Sequence, residues 1–406
     1  MKGGGSGTAG RQLALIAAIQ VLAMATWFSA SAVVPTLRTE WEITPGQATW
    51  LTASVQLGFV VGAVTSAVLN LPDIFPAHRL VAVCALVSAV GTAAVAAFAH
   101  GLESAVPLRF LTGVALAGVY PPGLKLMASW FDRGRGLALG VLVGALALGS
   151  ALPHLIGSFA ALPWRGVLYV SATLALAAAG IAARYVRVGP HFAVAPPFRP
   201  RYVITLFRER GPRLANLGYF GHMWELYAMW TWLPAYIAAS YAIRPGDLPV
   251  GVAAFLVIGV AGALGCLLAG WLGDRAGRAR LAALAMIASG TCCVLAALVF
   301  GGHPALLLGV LVVWGASIIA DSGLFSTCTS QVVDPRYVGT ALTTQTAIGF
   351  LLTIATIQAT PILVDLAGWQ LAVIVLGIGP AVGAIAMFRL HQYMTTTDQT
   401  REVTNP

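Results

Sequence analysis

Charge is what this sequence has least of. Of its 406 residues, 9% are Asp, Glu, Lys or Arg, against 58% hydrophobic. A soluble chain carries about a quarter charged residues, so this one cannot clothe a water-facing surface. Acidic groups are scarcer than basic ones, 14 against 23, for a net charge of +9. Cysteine is also sparse. Cys84, Cys266, Cys292, Cys293 and Cys328 all lie in apolar runs, without CxxC or His-flanked spacing. That excludes a disulfide scaffold and a cysteine metal site, and leaves them as small packing residues. An HExxH helix and any nucleophile–base constellation are missing as well. The sequence therefore reads as no enzyme, with no cofactor and no metal.

What it does have is apolar runs of about 20 residues, each enough to cross a ~30 Å hydrocarbon core. Helices are expected at 13–36, 47–70, 79–99, 104–131, 136–160, 165–184, 214–239, 249–272, 279–300, 304–330, 337–363 and 368–391. Turn chemistry separates them at Ile43-Thr-Pro-Gly, Asn70-Leu-Pro-Asp, Arg244-Pro-Gly-Asp and Gly301-Gly-His-Pro. The first run follows Lys2 and Arg11 and ends near SASA at Ser29–Ala32, as a signal peptide does, but its length reads as a membrane helix. Arg79, Arg133, Arg135, Arg275, Arg278, Arg280 and Arg336 fall in even-numbered connections, whereas the odd ones offer Arg38, Arg165 and Arg244. By the positive-inside bias both termini are cytoplasmic. The basic balance is thus topology, not a nucleic-acid footprint.

The longest connection, 185–213, holds Pro196, Pro197 and Pro200 before RYVITLFRERGPR at Arg201–Arg213. It reads as a cytoplasmic linker on the headgroups, dividing the chain into bundles 1–184 and 214–406. The halves repeat. A shift of 203 residues takes Trp27 to Trp230 and Arg133 to Arg336, with Gly136, Ala138 and Leu139 falling on Gly339, Ala341 and Leu342. Two similar bundles imply a site between them, opened alternately by rocking.

GWLGDRAGRAR at Gly270–Arg280 resembles the loop motif of the major facilitator superfamily, at the place of its second copy. LNLPDIFPAHR at Leu69–Arg79 resembles the first copy, keeping Asp73 but with Leu69 and Pro76 for two glycines. RFLTGVALAG (Arg109–Gly118) and WFDRGRGLALG (Trp130–Gly140) resemble two further motifs of that family. The resemblance covers essentially the whole chain and implies an all-α polytopic membrane protein, twelve transmembrane helices in two pseudo-symmetric six-helix bundles. It also implies a gate at Gly270, Asp274, Arg275, Gly277, Arg278 and Asp73, with Asp274 docking on a facing helix N-terminus in one rocking state. GVYPPGLKLMASWFDRGRGLALG at Gly118–Gly140 is similar to the nitrate/nitrite and cyanate permease-like branch. Two departures argue against nitrate itself. Helices two and eight carry no anion-gripping arginine, and GVLVGALALGSALPH at Gly140–His154 contains no Asn. The same segment lacks the Gly-Pro pair of drug antiporters.

Ionisable groups inside a membrane are costly, at least ~2.5 kcal/mol at its centre. Glu225 lies eleven residues into helix seven, roughly 16 Å deep at ~1.5 Å per residue. His222 is one turn earlier, and Gly218, His222, Glu225, Met229 and Trp232 share a face, expected to look into the space between the bundles. Asp321 follows Ser317 on helix ten. Glu225, His222 and Asp321 are the proton-coupling candidates. Arg109 and Lys125, near opposite ends of helix four, are the candidate cations for an anionic substrate. Trp27, Tyr120, Gln56, His154, Trp230 and Gln345 complete the candidate substrate site.

The expected function is secondary active transport of a small organic or inorganic anion by proton symport; the alternative is a proton-driven drug or metabolite antiporter. Expected partners are a small-molecule substrate, protons and lipid, with no nucleic acid. The protein is expected to be a monomer in a bacterial inner membrane.

Overall fold

The computed structural model describes residues 4–131, 134–159, 162–192 and 198–404. Arg133, Pro196 and Pro197 lie outside them, as does the side chain of Asp274. The described residues form helices and connecting turns, without a strand. The long rods are α1 (Gly4–Met24), α2 (Trp50–Val68), α3 (Ala77–Phe98), α4 (Leu102–Trp130), α5 (Arg135–Ser158) and α6 (Trp164–Tyr185). They continue as α7 (Arg210–Ile243), α8 (Val250–Gly273), α9 (Arg278–Val299) and α10 (Pro304–Val332). The last two, α11 (338–366) and α12 (369–404), are separated by non-helical Ala367 and Gly368, the glycine at φ +80°. Among the described residues ten stretches are long and apolar enough to cross a bilayer; one of them holds both α11 and α12, and the more polar α7 completes twelve rods.

Local chemistry sets the ends. Before α2, Thr44 and Gln47 form a reciprocal capping box, side chain to backbone at 3.2 and 2.9 Å, with Pro45 in the first turn. Asp334 caps the turn at Pro335–Tyr337, and its carboxyl is held down at about 2 by hydrogen bonds from the Arg336 side chain and backbone.

Two rods are broken inside the membrane. The first was expected as one helix over 13–36; instead α1 begins at Gly4, ends at Met24, and gives way to turns over 25–30. Rod α4 loses its helix after Leu116 and resumes at Tyr120, with Pro121 in the new first turn, where a missing N–H costs nothing. Rod α8 carries a π-helical stretch, Phe255–Ala261.

Rods α1–α6 pack among themselves, as do α7–α12, and the two groups meet along two seams, α2 with α11 and α5 with α8. Small residues set the spacing. At Gly270 a Cβ would stand 2.8 Å from the Gly136 carbonyl oxygen across the α5–α8 seam. The linker is tied at both ends. Arg187 N donates to Gln12 Oε1 and Gly189 N to Ser129 Oγ on the N-terminal side. On the other side Leu206 is buried against Val333 and Ala341, and the Tyr202 ring stacks on Tyr337 at 4.0 Å. Ile204 and Phe207 keep an exposed apolar edge.

One close approach between α8 and α10 generates a test. A methyl at Gly315 would lie 2.1 Å from the Val257 carbonyl oxygen, so Gly315→Ala must part α8 from α10. Thermal unfolding in detergent should register a loss of ~1–3 kcal/mol, whereas Gly309→Ala, with open space around it, should leave Tm unchanged.

Candidate functional site

The break in α1 exposes backbone that helix geometry no longer satisfies, and Arg109 of α4 takes it. Its guanidinium donates through Nη1 to the Thr26 carbonyl at 2.8 Å and Ser29 Oγ at 3.2 Å, and through Nε to the Leu51 carbonyl at 3.1 Å. Nη2 donates to the Trp27 carbonyl. Arg109 is fully buried, the one Lys or Arg so placed among the described residues. Carbonyl oxygens at a helix end carry partial negative charge, so a carboxylate is not needed to hold it. Arg109, a candidate cation for the substrate, is here a clamp engaged by protein oxygens. Lys125, at the other end of α4, pairs with Asp73 of the degraded motif and lies over the Phe192 ring at 4.6 Å.

The clamp aims Trp27 and Phe28 at the other half of the molecule. Trp27 meets Phe59 of α2 at 5.0 Å, Tyr227 of α7 at 5.7 Å and Phe350 of α11 at 5.8 Å. Phe28 meets Trp230 at 5.9 Å, and Phe59 meets Phe350 at 4.4 Å. Six buried rings from both groups of helices thus form one seam across the centre. On the side away from the linker, Thr49 Oγ1 donates to Gln358 Oε1 at 2.6 Å and closes α2 on α11.

Several polar atoms in and around the seam have no partner among the described residues: Trp27 Nε1, Trp230 Nε1, both amide atoms of Gln56, and His154 Nε2. All four side chains were substrate candidates from the sequence. Tyr120 belongs to a group of phenols with Tyr219 and Tyr227, and Tyr219 hydrogen-bonds the Thr346 side chain. Gln345 is not with them. Its amide bonds Asn216 Oδ1 at 3.0 Å and Thr329 Oγ1 at 2.9 Å, tying α7, α10 and α11 near the linker.

The charged face of α7 does not look into the seam as expected. Glu225 Oε1 accepts from Ser289 Oγ at 2.6 Å and Cys293 Sγ at 3.2 Å on α9, and from Trp314 Nε1 at 2.6 Å on α10. A carboxylate in hydrocarbon goes where donors are, and here they lie on α9 and α10. On the same face Gly218 packs on Met387 and Trp232 Nε1 donates to the Ile357 carbonyl. Nor do His222 and Glu225 partner each other. His222 Nδ1 lies 2.8 Å from Asp321 Oδ1, both side chains buried, while Ser322 Oγ is 2.9 Å from Nε2. Asp321 sits where α10 loses its regular helix, between Ala320 and Ser322. Cys293, read as packing, also bonds the Glu225 carboxyl group. Among the described residues no three His, Cys, Asp or Glu side chains converge as metal ligands.

In the motif at the end of α8, Gly270 gives the close α5–α8 approach described above, Gly277 adopts φ +80°, and Arg275 stacks over Trp271 at 4.3 Å. Arg278 opens α9.

Phe28, Phe59, Tyr227, Phe350, Trp314 and Ser289 were missed by sequence reasoning. Tyr227 had a signal, lying in the polar-studded YFGHMWELYAMW of α7; the others are ordinary residues of apolar helices.

Among the described residues, twelve long helices in two packed groups, meeting at a central seam, define a polytopic membrane protein. Residues 16–357 match the Major Facilitator Superfamily, and the chain belongs to that family. It is similar to the "Gallate transporter" of Pseudomonas putida, 26% identical over 302 residues, covering 64% of this chain and 65% of that protein. It is also similar to the "Niacin transporter NiaP" of Acinetobacter baylyi, 31% identical over 132 residues, covering 30% and 29%. The chain thus spans less than two thirds of the length of either relative. Both relatives are named as transporters.

The clamp predicts that Arg109→Gln acts on stability. It strips donors from buried carbonyls at ~1–3 kcal/mol apiece, so Tm in detergent should drop sharply.

Proposed function

We propose that the protein is a secondary active transporter that takes up a small organic anion together with protons, by alternating access at the ring-lined centre. The observation that carries this reading is the seam: buried rings from both halves, with Trp27 Nε1, Trp230 Nε1 and the amide of Gln56, three residues before Phe59, without a partner among the described residues. A site assembled from two moving bodies is taken apart when they rock, so binding and opening are coupled. Tyr120 and His154 complete the substrate site, and Arg109, Lys125 and Gln345 support it from their contacts described above.

Ring-lined walls suit a planar organic acid, and the two relatives are named for gallate and niacin, both aromatic acids. Within the neighbourhood of the nitrate/nitrite and cyanate permease-like branch, an organic anion is therefore the better reading than an inorganic one. Uptake is favoured over drug efflux by the missing Gly-Pro pair in α5. The moving units are 1–184 and 214–406, joined by 185–213. Asp73 and the Gly270–Arg280 motif, with Gly277, Arg275, Arg278 and Asp274, gate the linker side. The setting is a bacterial inner membrane with both termini in the cytoplasm, and the working unit is the monomer.

Coupling falls to two buried groups on α7. His222 with Asp321 can exchange a proton across a 2.8 Å contact. Glu225 can exchange one when its three donors on α9 and α10 shift. Both bridge to α10, so protonation of either changes the grip between α7 and α10.

Proteoliposome uptake of radiolabelled benzoate, gallate and nicotinate under an imposed pH gradient tests this. Asp321→Asn and Glu225→Gln should each lower gradient-driven accumulation on the order of tenfold or more and preserve counterflow exchange. Full gradient dependence in both variants would sink the coupling roles; no uptake of any of the three acids would sink the substrate class.

A further inference from the structure

We propose that the central site takes its ligand as an uncharged acid, with Gln56 reading the un-ionised carboxyl group and the seam rings holding a planar body. This rests on the central-site reading above and specifies the form of the ligand that binds.

Gln56 is fully buried, and neither its Oε1 nor its Nε2 has a partner among the described residues. A primary amide offers one acceptor edge and one donor edge side by side. A carboxylic acid is its complement: the acid O–H donates to Oε1 while its carbonyl oxygen accepts from Nε2. A carboxylate offers only acceptors, so it answers Nε2 and sets a negative oxygen against Oε1. Exchanging the amide oxygen and nitrogen leaves the argument unchanged, since both edges are open.

Position supports it. On the same face of α2, Thr52 lies one turn before Gln56 and Phe59 three residues after it. Thr52 Oγ1 bonds Ser31 Oγ at 2.6 Å, just beyond the α1 break, and Phe59 packs on Trp27 and Phe350. Gln56 therefore stands between the broken stretch of α1 and the rings. The unpartnered Trp27 and Trp230 indole N–H groups are neutral donors too.

Cation supply points the same way. Arg109 is the one buried Lys or Arg among the described residues, and its N–H groups go to Thr26, Trp27, Leu51 and Ser29. Lys125 is paired with Asp73. An ionised carboxylate in the seam would be a buried charge without a counter-ion, which is strongly disfavoured. Ionisable groups on the elements packed here are Arg109 and Tyr120 on α4, His154 on α5, and Tyr219 and Tyr227 on α7; His222 faces Asp321, and Glu225 faces α9 and α10. The ligand's proton is additional to any held by those α7 groups.

The test is ligand binding to the purified wild-type protein in nanodiscs, read by calorimetry with benzoate, benzamide and benzenesulfonate at about pH 5 and about pH 8. Benzamide, the neutral isostere, should bind with the same Kd at both. Benzoate should weaken by roughly tenfold per pH unit above its own pKa, and benzenesulfonate, which stays ionised, should not bind. Gln56→Leu should abolish benzamide and benzoate binding together. Benzoate and benzenesulfonate binding alike, with a Kd that ignores pH, would overturn the inference and leave organic-anion transport standing. Failure of both benzamide and benzoate to bind would overturn it as well. Benzamide binding without gradient-driven benzoate uptake would support the inference and remove the transport reading instead.

Discussion

Arg109 is the pivot of the N-terminal half. A membrane leaves no water to satisfy backbone carbonyls, so α1 can break at 25–30 only because a fork of N–H groups from α4 meets the carbonyls that the break releases. The break turns Trp27 and Phe28 toward α7 and α11, and those rings build the seam between the halves. One buried guanidinium thereby decides where α1 stops being a helix, which side chains reach the centre, and which cation is withheld from a ligand.

The C-terminal half solves a different problem, how to keep acids in hydrocarbon. Glu225 gathers Ser289, Cys293 and Trp314 around one oxygen, and Asp321 lies against His222 at an irregular point of α10. Neither acid faces the seam. On the proposed reading, substrate and proton chemistry are separated by the width of α7, the helix whose Tyr227 and Trp230 belong to the seam and whose His222 and Glu225 face α10. A rotation or shift of α7 is felt on both sides, which is a physical route for coupling without direct contact between ligand and acid.

Much of this was legible in the chain. Apolar run length gave the helices, and turn chemistry such as Thr44-Pro-Gly-Gln47 gave their ends. The rarity of charge in apolar surroundings marked Glu225, His222, Asp321 and Arg109 as residues with a task. Trp27, Gln56, Trp230 and His154, chosen as polar or aromatic groups along apolar helices, are buried side chains whose polar atoms lack a partner among the described residues. The tasks themselves were not legible. Arg109 and Gln345 read as ligand groups and are bound to other parts of the protein. His222 and Glu225 read as partners because they are three residues apart, yet each turns to a different neighbour.

The sequence by itself determined the solvent, the helices and the two-fold repeat, because these depend on composition and local spacing, and a bilayer tolerates few alternatives. Tertiary structure alone decided which polar groups are satisfied and which remain open. A hydrogen bond joins residues distant in the chain, such as Arg109 with Thr26 or Glu225 with Trp314, and no local pattern encodes its partner. Whether Gln56 is a spare amide or half of a binding pair is a question of what the other helices bring to it.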